Sequence, residues 1–162
     1  MHEPRARPAG DNRPEHGRSG AVNDISVDES ASAGHHLLRY PETLAVVRLG
    51  PGADVPAWAE SSSVFSVTAT ATETTVVCAG RNVPSKVPHL KPLTGFRIDG
   101  TLELTHSGVL VTLLSPLAEA GIGVFTASTF DSSWILVPRH DADAAEEAWR
   151  RSGHTTAPAT PA

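Results

Sequence analysis

The sequence predicts an α+β fold built from two stacked units, and three observations predict it. Leu104 to Gly153 reads strand, turn, helix, strand, hairpin, strand, helix. Within that stretch Leu110, Leu113, Leu114 and Leu117 recur at i, i+3, i+4 and i+7, the single apolar stripe of an amphipathic helix. At an offset of 60, Val64-Phe65-Ser66 is echoed by Val124-Phe125-Thr126, Thr68 by Ser128 and Val76-Val77 by Leu136-Val137, as two units with central hairpins would require.

The elements follow in order. Residues 1–35 carry almost no periodic apolar content and cannot bury enough surface to offset the entropy of ordering, so a disordered tail is expected. Thr43–Leu49 is rich in β-formers and stops at Gly50-Pro51-Gly52. Asp54 to Ser61 suits a short helix around Trp58. Ser63–Ala71 and Thr74–Cys78 form a hairpin turning near Thr72-Glu73, and Val83 to Pro92, with three prolines, reads as an irregular connection. Gly95–Ile98 and Thr101–Leu104 are short strands flanking Asp99-Gly100.

Val109–Ala120 is the leucine-striped helix, bent at Pro116 and stopped by Gly121. Ile122–Thr129 and Trp134–Val137 are the next strand pair. Asp141–Ser152 is the last helix, with acidic residues at its start, Arg150 and Arg151 at its end and Gly153 as the stop. Residues 155–162 form a second expected disordered tail. The folded body thus divides into subdomains at 36–99 and 100–154.

Bulk composition narrows the partners. The 162 residues carry a formal net charge of −5, giving no field to attract phosphates, so nucleic acid is not expected as a partner. Cys78 is the single cysteine, which excludes an internal disulfide and a cysteine-based zinc site; between Thr75-Val76-Val77 and Ala79 it reads as a small core residue. No segment approaches the ~20 apolar residues that span a bilayer. The N-terminus is Arg-, Pro-, Gly- and His-rich without a signal-peptide apolar core, so no membrane association is expected and the cytoplasm is the expected compartment.

Two places carry candidate chemistry. The turn Thr105-His106-Ser107-Gly108 leads into the leucine-striped helix, whose first-turn N–H groups lack internal partners and carry partial positive charge. With Gly108 admitting a ligand to the main chain and Ser107 offering a hydroxyl, that corner suits a carboxylate; plain N-capping by Ser107 explains the same residues. Asp131, beside Ser132 and Ser133, suits a ligand ammonium or guanidinium group, and a simple hairpin turn explains it equally. Thr126, Ser128 and Thr129 add hydroxyls that either face a ligand or mark exposed sheet positions. The eight histidines show no metal-ligand spacing, and no nucleophile elbow, Walker loop or dinucleotide glycine pattern is present, so neither a metal, a cofactor nor an enzymatic activity is expected.

Gly108-Val109-Leu110, Ser115-Pro116-Leu117-Ala118-Glu119-Ala120-Gly121-Ile122 and Ser128-Thr129-Phe130-Asp131-Ser132-Ser133-Trp134-Ile135-Leu136-Val137 together resemble the second repeat of ACT-domain proteins. More narrowly, the chain looks like the compact double-ACT proteins related to aspartate kinase regulatory domains and to the cytosolic arginine sensor, over about Thr43 to His154. The resemblance implies two ferredoxin-like (βαββαβ) ACT-type subdomains. It also implies a small amino acid or related metabolite held by Ser107, Gly108, Val109 and Leu110 with Thr126, Ala127, Ser128 and Thr129, Asp131 standing nearby. Where the family carries an acidic residue in this hairpin, the matching position is Ser133. The expected function is non-catalytic: a ligand-binding regulatory or sensor protein, pairing as a homodimer. The alternative is a dimerisation or protein-interaction module without a small-molecule ligand.

Overall fold

The computed structural model describes residues 34–101 and 107–160. The expected N-terminal tail, but for its last two residues, and the expected strand at Thr101–Leu104, apart from Thr101, lie outside them. The fold is α+β. Its strands are β1 (His36–Leu49), β2 (Ser66–Ala69), β3 (Thr74–Ala79), β4 (His89–Ile98), β5 (Phe125–Ser128), β6 (Ser133–Pro138) and β7 (Thr155–Pro158). Two helices, α1 (Val109–Glu119) and α2 (Ala142–Arg151), flank the β5–β6 hairpin.

All seven strands join one sheet in the order β2-β3-β1-β4-β6-β5, with β7 paired to β1. The order reads as two ferredoxin-type halves back to back: β1 flanked by β3 then β2, and β4 flanked by β6 then β5. The two central strands run antiparallel to each other.

The internal echo is real but its offset is 59, not 60. Ser66 pairs with Val77 as Phe125 pairs with Leu136, and Ala69 with Thr74 as Ser128 with Ser133. Because side chains alternate between faces, the one-residue difference decides which residues are equivalent. The two turns repeat the same bonds: Thr70 N–H to Glu73 O and Thr129 N–H to Ser132 O, both 2.8 Å.

The halves differ in what covers the sheet. In the second, Leu113 and Leu117 of α1 and Ala142, Ala145 and Trp149 of α2 pack on Leu37, Phe96, Ile98, Ile135 and Val137. In the first, the same face is covered by single 3-10 turns at Ala57–Ala59 and Gly80–Asn82 and their flanks, with Trp58, Ala59 and Val83 over Ala45, Val47, Val76 and Cys78. The short helix expected around Trp58 is therefore one tight turn. Only Gly80–Pro88 separates β3 from β4, and Pro84 and Pro88 within it leave no room for a helix. The opposite face carries Leu44, Val46, Val77, Leu93, Trp134 and Leu136.

Two expectations are corrected. Val83–Pro92 is not wholly irregular: β4 begins at His89, and Pro92 is tolerated because the β1–β4 ladder shifts register between Leu44 and Val46. Residues 155–162 are not all tail. Thr155–Pro158 pairs in parallel with His36–Arg39, and Ala159 is buried, its N–H donating to Arg39 O at 2.7 Å. The strand is secured by main-chain bonds, which apolar patterning does not reveal.

Two buried polar contacts bind the helix layer. The Trp149 indole N–H donates to Leu113 O at 2.8 Å. His154, 5 % exposed, accepts the His35 main-chain N–H on Nδ1 at 3.0 Å and places Nε2 3.3 Å from Thr112 O.

Candidate functional site

The chain leaves β4 at Ile98, and α1 begins at the end of the sheet where β4 stops. The β5–β6 hairpin is tied to that same end: the Ser132 hydroxyl donates to Ile98 O at 3.0 Å. Topology thus gathers the α1 start and the hairpin turn at one corner.

Gly108 is the cap residue of α1, in the left-handed region with φ +85°, and no side chain caps it. Only glycine adopts that conformation without a steric cost. Capping by Ser107 is thus not what starts the helix; Ser107 and Gly108 are both exposed. Thr112 N–H bonds to Gly108 O at 3.0 Å, the first bond of the helix, so the earlier first-turn N–H groups have no partner within it. Val109 is buried in the core and Leu110 is half-buried against it, so what these residues offer a ligand is main-chain N–H rather than side chain. His106 lies outside the described residues.

The strand residues separate by face. Thr126 and Ser128 are exposed, on the helix-bearing side with their cross-strand partners Ile135 and Ser133, and Ser128 Oγ meets Ser133 Oγ at 2.9 Å. Ala127 points the other way, against the Trp134 cluster. Thr129 is engaged in the turn, its Oγ1 donating to Ser132 O at 3.2 Å and receiving the Ser132 N–H at 3.1 Å. Asp131 is exposed on the same turn beside Phe130, which is 99 % exposed.

Sequence reasoning named Ser132 only as a neighbour of Asp131 and missed that its hydroxyl anchors the hairpin to β4, a long-range contact that no local spacing signals. It also missed the cleft lined by Arg39, Thr43, Thr94 and Arg139, a cavity of about 360 Å³ drawn from elements far apart in the chain. Among the described residues no group of three or more His, Cys, Asp or Glu stands where it could hold a metal ion. No described helix is long and apolar enough to cross a membrane.

The family model of the ACT domain matches residues 92–151, and a second model, for an N-terminal domain, matches residues 42–86. No curated protein matches the sequence. Among solved structures, a protein of Agobacterium tumefaciens is similar at 26 % identity and TM-score 0.73, covering 79 % of this chain and 96 % of that one. A Vibrio cholerae protein of unknown function, described as a possible transport protein, shares the fold at 12 % identity and TM-score 0.64, over 78 % of this chain and 98 % of that one. The regulatory subunit of aspartate kinase from Thermus flavus shares it at 10 % identity and TM-score 0.53, over 74 % and 98 %.

Proposed function

We propose that this ACT-domain protein, which shares its fold with aspartate kinase regulatory domains, is a non-catalytic regulatory or sensor protein that binds a small amino acid or related metabolite at the α1 start. The observation that carries the reading is Gly108, a helix cap with no side chain over it, at the corner where Ser132 fixes the hydroxyl-bearing hairpin. A ligand carboxylate sits on the first-turn N–H groups, and the Ser107 and Ser128 hydroxyls orient the rest. The cytoplasm is the compartment this reading implies.

The test is a thermal-shift and calorimetric screen against the common amino acids. A ligand at 100 times its Kd stabilises the native state by about 2.7 kcal/mol. One amino acid raising Tm in the wild type and failing in Ser128→Val supports the reading; silence across the panel at millimolar concentration overturns it.

Phe130 favours a second reading, an interaction module without a small ligand. A fully exposed aromatic at a hairpin tip, beside the open edge strand β5, suits contact with another chain, a second copy included. Sedimentation separates the two: a monomer at all concentrations, unchanged by Phe130→Ser, removes it.

A further inference from the structure

We infer that the cleft at the kink of β1 is a second, separate binding site, for a small organic acid. β1 and β4 lose register there: Arg39 pairs with Phe96 and Thr43 with Thr94, so β1 advances four residues while β4 advances two. The surplus pushes Tyr40, Pro41 and Glu42 out of the ladder. Such bulges re-aim side chains and occur at functional sites more often than elsewhere.

The re-aimed residues open a cavity of about 360 Å³ on the helix-bearing face, between α2 and the helix-free first half. That is within the volume range of small-molecule pockets, roughly 300–1,000 Å³. As cross-strand partners, Thr43 and Thr94 stand side by side on this face. Thr94 is 6 % exposed, lines the cavity and makes no side-chain hydrogen bond among the described residues. Its oxygen is not sealed off from the cavity, so it stands free to bond a ligand there.

The charges give the sign of the ligand. Arg139 Nη1 donates to Thr43 Oγ1 at 3.0 Å, and among the described residues no carboxylate pairs with this guanidinium. Arg39 is shared between Asp143 at 2.8 Å and Glu146 at 2.9 Å. Glu42, the one acidic lining residue, is turned away to Ser62, Ser63 and Arg81. Arg139 is thus the group with charge and donors to spare. A guanidinium next to two hydroxyls binds a carboxylate by charge-assisted hydrogen bonds, and Pro41 and Pro158 supply apolar wall for a short carbon chain.

The site shares no residue with the α1 start, so the two stand or fall separately. The experiment is amide NMR titration of the full chain with potassium malonate, succinate and glutarate, against matched potassium chloride and phosphate. At least one dicarboxylate is expected to give saturable shifts at residues 43, 94 and 139. Arg139→Gln is expected to weaken it tenfold or more and Thr94→Val several-fold, while Ser107→Ala leaves it unchanged. Shifts that fail to saturate, that chloride reproduces, that only phosphate produces, or that survive both Arg139→Gln and Thr94→Val overturn the site. So does loss in Ser107→Ala with Arg139→Gln intact, which would assign the ligand to the helix start.

Discussion

His154 and Thr112 are joined by the defect that Pro116 makes in α1. Proline has no N–H, so the Thr112 carbonyl four residues earlier loses its helical donor; His154 Nε2 stands 3.3 Å from that oxygen. Because Nδ1 already accepts the His35 N–H, the ring proton is on Nε2, where it donates to Thr112. The contact fastens the end of α2 to the first turns of α1.

The pairing predicts a coupled mutant cycle. His154→Ala leaves a buried carbonyl without a donor and costs about 1–3 kcal/mol. Pro116→Ala restores the helical N–H, so in the His154→Ala background it recovers about 1 kcal/mol or more, against less in the wild type. Urea unfolding of the four proteins gives the coupling; strict additivity would mean that Pro116 and His154 do not share the carbonyl.

A pH dependence follows from the stacked pair His35–His154, ring centroids 5.6 Å apart. Burial, and then the charge of His154, hold the His35 pKa below its usual 6.5. The unfolded chain therefore takes up this proton first, and stability falls as pH drops below about 6.5 and is unaffected above it. His35→Gln should flatten that part of the curve. An acid limb of equal slope in the variant would assign the loss to other groups.

Glu42 acts in a lower window. Burial works against its charged form, yet hydrogen bonds from Ser63, Arg81 and Ser62 outweigh it and hold the carboxyl below its usual 4.5. Its contribution is present above that value and lost as pH falls through the folded pKa. Glu42→Gln is expected to lower Tm at pH 7 and to approach the wild type toward pH 3.

Gly95 predicts a packing cost on the opposite face. A Cβ there would stand 2.8 Å from Leu44 Cδ1 and 3.6 Å from the Trp134 ring. Gly95→Ala is expected to cost about 1–3 kcal/mol. Shortening the neighbour by Leu44→Val should make the pair less damaging than the sum by about 0.5 kcal/mol or more. Thermal unfolding of the single and double variants measures it.

Periodic and local signals were legible in the sequence. The leucine stripe put Leu113 and Leu117 in the core, and Gly50-Pro51-Gly52 ended β1 where expected. Gly108 was readable as the start of α1 because its left-handed conformation leaves a sequence mark. Non-local features were not. Thr155–Pro158 has no apolar alternation and becomes a strand only because β1 offers its edge. Ala127 was grouped with its neighbours, although strand alternation turns it to the other face. Arg39, Thr43, Thr94 and Arg139 meet only through a register shift, which no spacing along the chain records.

The fourteen residues of β1 bond to β3, β4 and β7. Severing the chain at Asp99-Gly100 would part β6 from β4, and β7 from β1, the strand it pairs with. The repeats are thus not modules to be excised and grafted one by one. Both repeats are therefore built on one shared girder, the two central strands β1 and β4.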